Sequence, residues 1–396
     1  MTLTPQPHLA GVDAPPIWEA QGWIAGRTFP KQKPLIDVCQ AVPGYPPADA
    51  LLDHMAAALR WPNTHRYTEF GGIKPLRDAL AADVNRSYAS SSVARANIFA
   101  TAGCNQAFCL VASALAKAGD EIILPLPSYF NYSMWLEMQG IVVRHVSFRP
   151  ETHGLPDLAE IRSAITPRTR ALVLISPNNP TGAIFPPDYF ASAFELCREA
   201  GIALIADETY RDFLGTEAAP HSLFQRADWQ GTLIHLYSFS KVFCLTGYRV
   251  GAIVADPKFL DEVGKEMDCV AICPPHIAQI GAAFGLESLG DWRRANSVKM
   301  AARLDAMRKA FARSDLGYEL VSSGAYFAYL RHPHRGRASH GVAKRLAERQ
   351  NLLSLPGSIF GPGQDNFIRM AFANVDASLM DDIAARLAAD ATDQDW

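Results

Sequence analysis

Thr232-Leu233-Ile234-His235-Leu236-Tyr237-Ser238-Phe239-Ser240-Lys241 is a largely apolar, β-rich run that ends in a Ser-x-Ser-Lys turn, and Gly247-Tyr248-Arg249-Val250-Gly251 follows it. The run reads as a strand, which places Lys241 on the turn at the strand's carboxyl end. Open α/β sheets bind their ligands at that edge. A lysine flanked by hydroxyls and followed by an arginine is the set needed to hold a phosphorylated aldehyde: the amine condenses with the carbonyl while Ser238, Ser240 and Arg249 take the phosphate. Taken alone, Ser-x-Ser-Lys describes an ordinary surface lysine, because lysine is mostly exposed and short motifs recur by chance.

On either side of this segment, short β-rich runs lie at Ile98–Ala100, Ile122–Leu124, Ile141–Val146, Ala171–Ile175, Ile202–Ala206 and Val250–Val254. Helical patterns fall between several of them, at Gln106–Ala118, Leu158–Ala164 and Pro187–Ala200, after earlier helices over Ala48–Trp61 and from about Lys74. Near-continuous apolar strands separated by helices predict an α/β fold with a mostly parallel sheet covered on both faces. From Trp292 a long helix runs to Phe311, followed by a strand at Ala325–Leu330, a helix at Gly341–Gln350 and a strand at Phe367–Phe372, the outline of a smaller α+β lobe. The division expected is an N-terminal arm or part of the small domain over 1–45, a large domain over 46–290 and a C-terminal small domain over 291–396. A chain of 396 residues fits roughly two to three domains.

Composition narrows the function. Hydrophobic residues make up 49% and charged residues 19%, as in a well-packed globular protein, and the net charge of −3 offers no basic field for nucleic acid. The 7 cysteines show no CxxC pair and no metal-type clustering, and the first residues lack a charged and apolar leader. The expectation is a cytoplasmic protein with reduced thiols, no metal and no membrane span.

Four further motifs stand where strands end. Ser176-Pro177-Asn178-Asn179-Pro180-Thr181-Gly182 follows Ala171–Ile175; its asparagines can address a phenolic oxygen, and by itself it is equally a plain turn. Asp207-Glu208-Thr209-Tyr210 follows Ile202–Ala206; a carboxylate there can keep a pyridine nitrogen protonated, or serve only as a helix cap. Thr101-Ala102-Gly103-Cys104-Asn105-Gln106 is a strand-to-helix turn whose backbone N–H groups suit a phosphate. Pro127-Ser128-Tyr129 offers a tyrosine to stack on a flat ring, or a structural one. With Lys241, five motifs at successive strand ends each supply a group that one cofactor requires, and five independent coincidences are improbable.

The combination NPTG, DExY, SxSK and GxRxG, over about Val38 to Phe372, resembles the class I/II pyridoxal phosphate-dependent aminotransferases of the aspartate aminotransferase superfamily, fold type I. That resemblance implies a seven-stranded, mostly parallel sheet and pyridoxal 5'-phosphate as cofactor. Lys241 is then the internal-aldimine lysine and the base that moves a proton between Cα and C4′. Asp207 pairs with the pyridine nitrogen, Tyr210 and Asn179 bond the ring oxygen, and Tyr129 stacks on the ring. Gly103, Cys104, Asn105, Ser238, Ser240 and Arg249 hold the phosphate. Tyr67, in His65-Arg66-Tyr67-Thr68-Glu69, matches the tyrosine that reaches the partner subunit's phosphate, which implies a homodimer with shared active sites. Arg369, in Phe367-Ile368-Arg369-Met370, matches the arginine that binds the substrate carboxylate, beside Asn179 and Ala41.

The chain departs from the family pattern at three places: Ala41 stands where many relatives carry glycine, Cys244 replaces a glycine three residues after the lysine, and Ser176 replaces an asparagine. Dicarboxylate-specific relatives carry a second arginine a few residues before a Pro-Pro step. Before Pro274-Pro275 the position falls near Asp268, and no arginine lies between 267 and 280. The substrates implied are an L-amino acid and a 2-oxo acid, with neutral, aromatic or cationic side chains left open. A β/γ-lyase of the same fold shares every cofactor residue. A DNA-binding regulator built on this fold needs a basic helix-turn-helix ahead of it, whereas the first 45 residues are proline-rich and not basic. A purely structural role has no use for Lys241, Asp207 and Arg249 together.

Overall fold

The computed structural model describes residues 3–393. Its strands are β1 (Ile36–Asp37), β2 (Ile98–Thr101), β3 (Glu121–Pro125), β4 (Val142–Val146), β5 (Thr169–Ile175), β6 (Ala203–Asp207), β7 (Leu233–Ser238), β8 (Gly251–Val254), β9 (Glu319–Gly324), β10 (Phe327–Arg331), β11 (Leu352–Leu353), β12 (Leu355–Pro356) and β13 (Phe367–Ala371). Seven of them form one sheet in the order β2-β8-β7-β6-β5-β3-β4. Neighbours are parallel except on the two sides of β8.

Burial on both faces explains the unbroken apolar runs. Alternate residues of a strand point to opposite faces. On β5, Leu172 and Leu174 join one core while Ala171, Val173 and Ile175 join the other. The first core is closed by helices Lys74–Ser87, Pro187–Ala200 and His276–Ser288, the second by Cys104–Leu115, Phe130–Met138 and Pro257–Ala271. With both faces covered, the open edge at the carboxyl ends of β2, β3, β5, β6 and β7 carries the turns at Gly103, Tyr129, Asn179, Asp207 and Lys241.

A second sheet, order β12-β13-β10-β9, is antiparallel. It shares a core with helices Gly290–Phe311, Ser339–Gln350 and Met380–Thr392, built on Phe327, Ala328, Leu330, Ile368 and Met370. The N-terminal segment is bound into this part: β1 pairs in parallel with β11, and Ile36, Val38 and Ala41 lie in the same core. The two parts meet at a backbone seam, where a Cβ on Gly182 would overlap the main chain of Gly324 and a Cβ on Gly324 would overlap that of Gly182.

Several elements differ from the sequence reading. The strand expected over Ala325–Leu330 is a hairpin of β9 and β10 whose turn includes Ala325, at φ 45°. The polar Ser322-Ser323-Gly324 masks the end of the first strand. Helix Cys104–Leu115 opens two residues ahead of Gln106, because Gly103 takes φ 87° and turns the chain directly into it. Helices Pro257–Ala271 and His276–Ser288 were not anticipated, although Leu260, Val263 and Met267 carry the spacing of a buried helical face. The N-terminal arm contains two short helices, Pro7–Ala10 and Pro16–Gly22, each opened by a proline.

Candidate active site

A cavity of about 410 Å³ lies at the carboxyl edge of the large sheet. Its walls bring together Ala41, Cys104, Asn105, Tyr129, Asn179, Asp207, Tyr210, Ser238, Ser240, Lys241, Arg249 and Arg369, drawn from distant parts of the chain. Gly103 stands just behind this wall and Tyr67 lies outside it, 77% exposed.

Lys241 sits in the short helix Phe239–Val242 that β7 enters directly, and its Nζ donates to the carbonyl of Ala41 at 2.5 Å. Burial pushes its pKa down to about 8, helped by the nearby Arg369 and Arg249 cations. The amine is therefore available in its neutral, nucleophilic form far more readily than a surface lysine. At the cap of that helix, the Ser238 hydroxyl accepts the Ser240 N–H at 3.3 Å.

Arg249 donates Nη1 to Thr246 O at 2.8 Å and Nη2 to Ala102 O at 3.4 Å, and makes no ion pair among the described residues. Its guanidinium lies against Gly103, where a Cβ would overlap Nη2 and come within 3.0 Å of Cζ. Only glycine leaves that space at φ 87°. An unneutralised cation beside the N-terminus of the twelve-residue helix Cys104–Leu115 is a site for an anion such as phosphate.

Asp207 ends β6 and is buried, yet every hydrogen bond to its carboxylate comes from a donor. Tyr132 Oη donates to Oδ2 at 2.7 Å, while Thr209 gives Oδ1 its hydroxyl at 2.7 Å and its N–H at 3.0 Å. Cys104 Sγ lies 3.6 Å from Oδ1. Behind it, Glu208 receives the Tyr88 hydroxyl at 2.5 Å and faces His221 and His235 Nε2 at 3.1 and 3.2 Å. Burial opposes its ionisation, but the histidines outweigh that and hold its carboxyl well below the usual range.

Tyr210 is buried beside Tyr326 and Phe327, with ring centroids 5.1 Å away in each case, and desolvation pushes its phenol far above the ordinary value. Tyr129 caps helix Phe130–Met138, and its hydroxyl accepts Asn131 Nδ2 at 3.0 Å. Arg369, on β13, is 2% exposed. It donates Nη1 to Asn179 Oδ1 at 3.0 Å and Nη2 to Cys39 O, while its Nε has no partner. It also makes no ion pair among the described residues, so a desolvated fork faces the cavity without a counter-ion. That is the arrangement a carboxylate ligand completes.

Sequence reasoning missed Tyr132, Thr209 and the carbonyls of Ala41 and Cys39. Tyr132 lies one helical turn beyond Tyr129 and Thr209 is the unspecified position of DExY, so both stood beside motifs already marked. The carbonyls left no signal in side-chain type. Asp268 is exposed on helix Pro257–Ala271, away from this cavity.

A buried lysine after a central strand, with an acid on the adjacent strand end and two arginines without ion pairs across the cavity, on a mostly parallel seven-stranded sheet beside an α+β part, is the arrangement of a fold-type-I transferase. Comparison with known proteins agrees. Residues 30–387 match the family aminotransferase class I and II. An aspartate aminotransferase of Sulfurisphaera tokodaii is 30% identical over 78% of this chain and 78% of its own. The arginine–pyruvate transaminase of Pseudomonas aeruginosa is 30% identical over 82% and 81%. The solved aspartate aminotransferase of Thermus thermophilus with maleate superposes with a TM-score of 0.88 at 24% identity, covering 98% of this chain and 100% of that one. The chain belongs to the class I and II aminotransferases and is a transaminase; the lyase alternative is not favoured by these relatives.

Proposed function

We propose that this aminotransferase carries pyridoxal 5'-phosphate at Lys241 and moves the amino group of an L-amino acid to a 2-oxo acid in two ping-pong half-reactions. The observation that carries the reading is the Lys241 amine, lowered to about 8, sharing one cavity with two guanidiniums that have no counter-ion. The residues present fit the group: an anion cradle at Gly103 and Arg249, a carboxylate at Asp207, an amine at Lys241. When bound, the cofactor supplies the electron sink that lets a Cα–H bond break.

The chain's own groups do the rest. Arg249 and the N-terminus of helix Cys104–Leu115 would offset the phosphate's charge, and the Ser238 and Ser240 hydroxyls would hydrogen-bond it. Asp207 would pair with the pyridine nitrogen, Tyr210 and Asn179 would bond the ring oxygen, and Tyr129 would stack on the ring. Arg369 grips the donor's α-carboxylate and so fixes which bond at Cα stands near Lys241. Lys241 Nζ, as a free amine, would be the base that takes the donor's Cα proton and holds it for return.

A homodimer fits the exposed apolar surface. Trp61, Tyr67, Phe70, Val270 and Ile272 are all exposed, on two segments joined where Thr68 N meets Cys273 Sγ at 3.3 Å. Apolar surface of this kind marks an association face, and it includes the tyrosine expected to serve the other subunit. Seven free cysteines support a reducing, cytoplasmic setting.

The test is the visible spectrum of the protein with pyridoxal phosphate, before and after single L-amino acids without any oxo acid. A yellow band that bleaches with certain amino acids supports the proposal and names the donors. A band that persists while ammonia and an oxo acid accumulate transfers the reading to a lyase, and no band at all overturns it.

A further inference from the structure

The carboxylate of Asp207 is held more firmly than a buried acid needs. A lone donor would satisfy part of it, yet three side chains converge: Tyr132 on Oδ2, with Thr209 and Cys104 on Oδ1. All three stay protonated donors, since burial and the adjacent Asp207 push the Tyr132 phenol and the Cys104 thiol well above their ordinary values. Tyr132 is itself fixed. Its ring stacks on Phe108 with centroids 3.7 Å apart and planes 14° from parallel, and meets the edge of Tyr129 at 5.4 Å and 74°. Its hydroxyl also lies 3.7 Å from Cys104 Sγ. One ring thus touches helix Cys104–Leu115, whose N-terminus faces the phosphate site, the tyrosine that flanks the cofactor, and the acid at the end of β6.

Resting on the function proposed above, we propose that Tyr132 and Thr209 are positioning residues: they pin both oxygens of Asp207 so that its charge faces the cofactor's pyridine nitrogen, with Tyr132 registering that acid against the phosphate site. A carboxylate that can rotate spreads its charge over several orientations, and preorganised charge is what stabilises a developing electron sink.

The experiment compares wild type, Tyr132→Phe, Thr209→Val and Thr209→Ser. It reads the dissociation constant of pyridoxal phosphate from titration of apo-protein, the pH dependence of the bound cofactor's absorbance, the split between kcat and KM, and the melting temperature without cofactor. Tyr132→Phe keeps the stack on Phe108, so the apo melting temperature stays near wild type. Loss of one hydrogen bond to a charged group weakens cofactor binding about tenfold or more. The absorbance midpoint shifts, and kcat falls while donor KM holds, because Arg369 is untouched. Thr209→Val behaves likewise and Thr209→Ser restores wild-type values. Cofactor affinity and absorbance indistinguishable from wild type in Tyr132→Phe and Thr209→Val overturn the inference, as does a Thr209→Ser variant no better than Thr209→Val. Should Tyr132→Phe fail to fold, the Thr209 pair decides alone. A wild-type protein that takes up no pyridoxal phosphate sinks the functional reading instead, which separates the two failures.

Discussion

Arg369→Met keeps the reach of the side chain and removes its charge at a position that is 2% exposed. Two effects follow, and they have opposite signs. Removing a charge that is buried without a counter-ion relieves its desolvation, and the gain found when buried ion pairs give way to apolar side chains, about 1–4 kcal/mol, sets the scale. Against this, Asn179 Oδ1 and Cys39 O each lose a donor, at roughly 1 kcal/mol apiece. The net change in stability is therefore about −1 to +2 kcal/mol, close to neutral. Recognition behaves differently. A carboxylate held by the fork loses two charge-assisted hydrogen bonds at roughly 1.5–3 kcal/mol each, which lowers kcat/KM for an L-amino acid by roughly a hundredfold to ten-thousandfold. Steady-state kinetics and the unfolding midpoint of the apo-protein measure the two sides. A sharply lower midpoint with kcat/KM scarcely altered would show that Arg369 is a structural cation and refute the argument.

Covalent capture of pyridoxal phosphate by the apo-protein should speed up as pH rises and level off above about 8, because the neutral amine of Lys241 is the nucleophile. An inflection near 10.5, the ordinary lysine value, would contradict the burial of that amine. The same depressed pKa means the folded chain releases this proton before the unfolded one, so Lys241 contributes stability that grows with pH between those two values. Gly103→Ala forces a Cβ into the Arg249 guanidinium and should weaken binding of pyridoxal phosphate more than that of pyridoxal; equal losses would place the phosphate elsewhere. The cavity residues Ile17, Gln40, Val42, Phe130 and Asn131 are uncharged, so amino acids with uncharged side chains should exceed aspartate and glutamate in kcat/KM by about tenfold or more. Aspartate as the preferred donor would point to a cation contributed from outside these walls.

Much of the site's placement was legible because a parallel sheet converts chain order into spatial order. Asn179, Asp207 and Lys241 each follow an apolar run, and β5, β6 and β7 lie side by side in parallel, so their turns must share one edge. Arg369 was legible only through its family motif, since a lone arginine in a strand says nothing of what lies 190 residues away at Asn179. The bond from Tyr132 to Asp207, 75 residues apart, left no local pattern, because stacking on Phe108 aims the hydroxyl. The β9–β10 hairpin escaped for a different reason. Its turn residues, Ala325 and Tyr326, are apolar and buried, so they carry none of the composition by which turns are recognised.

The seam between Gly182 and Gly324 limits how this enzyme can change over time. Neither glycine can acquire a side chain without the other's backbone moving, and no paired substitution relieves the overlap, because the obstacle on each side is main chain. The loop bearing Asn179 and the hairpin beside the Arg369 strand are thus locked in register against mutational drift. Adaptation to new donors is channelled instead to the rim, where Ile17 and Asn131 line the cavity half-buried on separate helices and can vary one at a time.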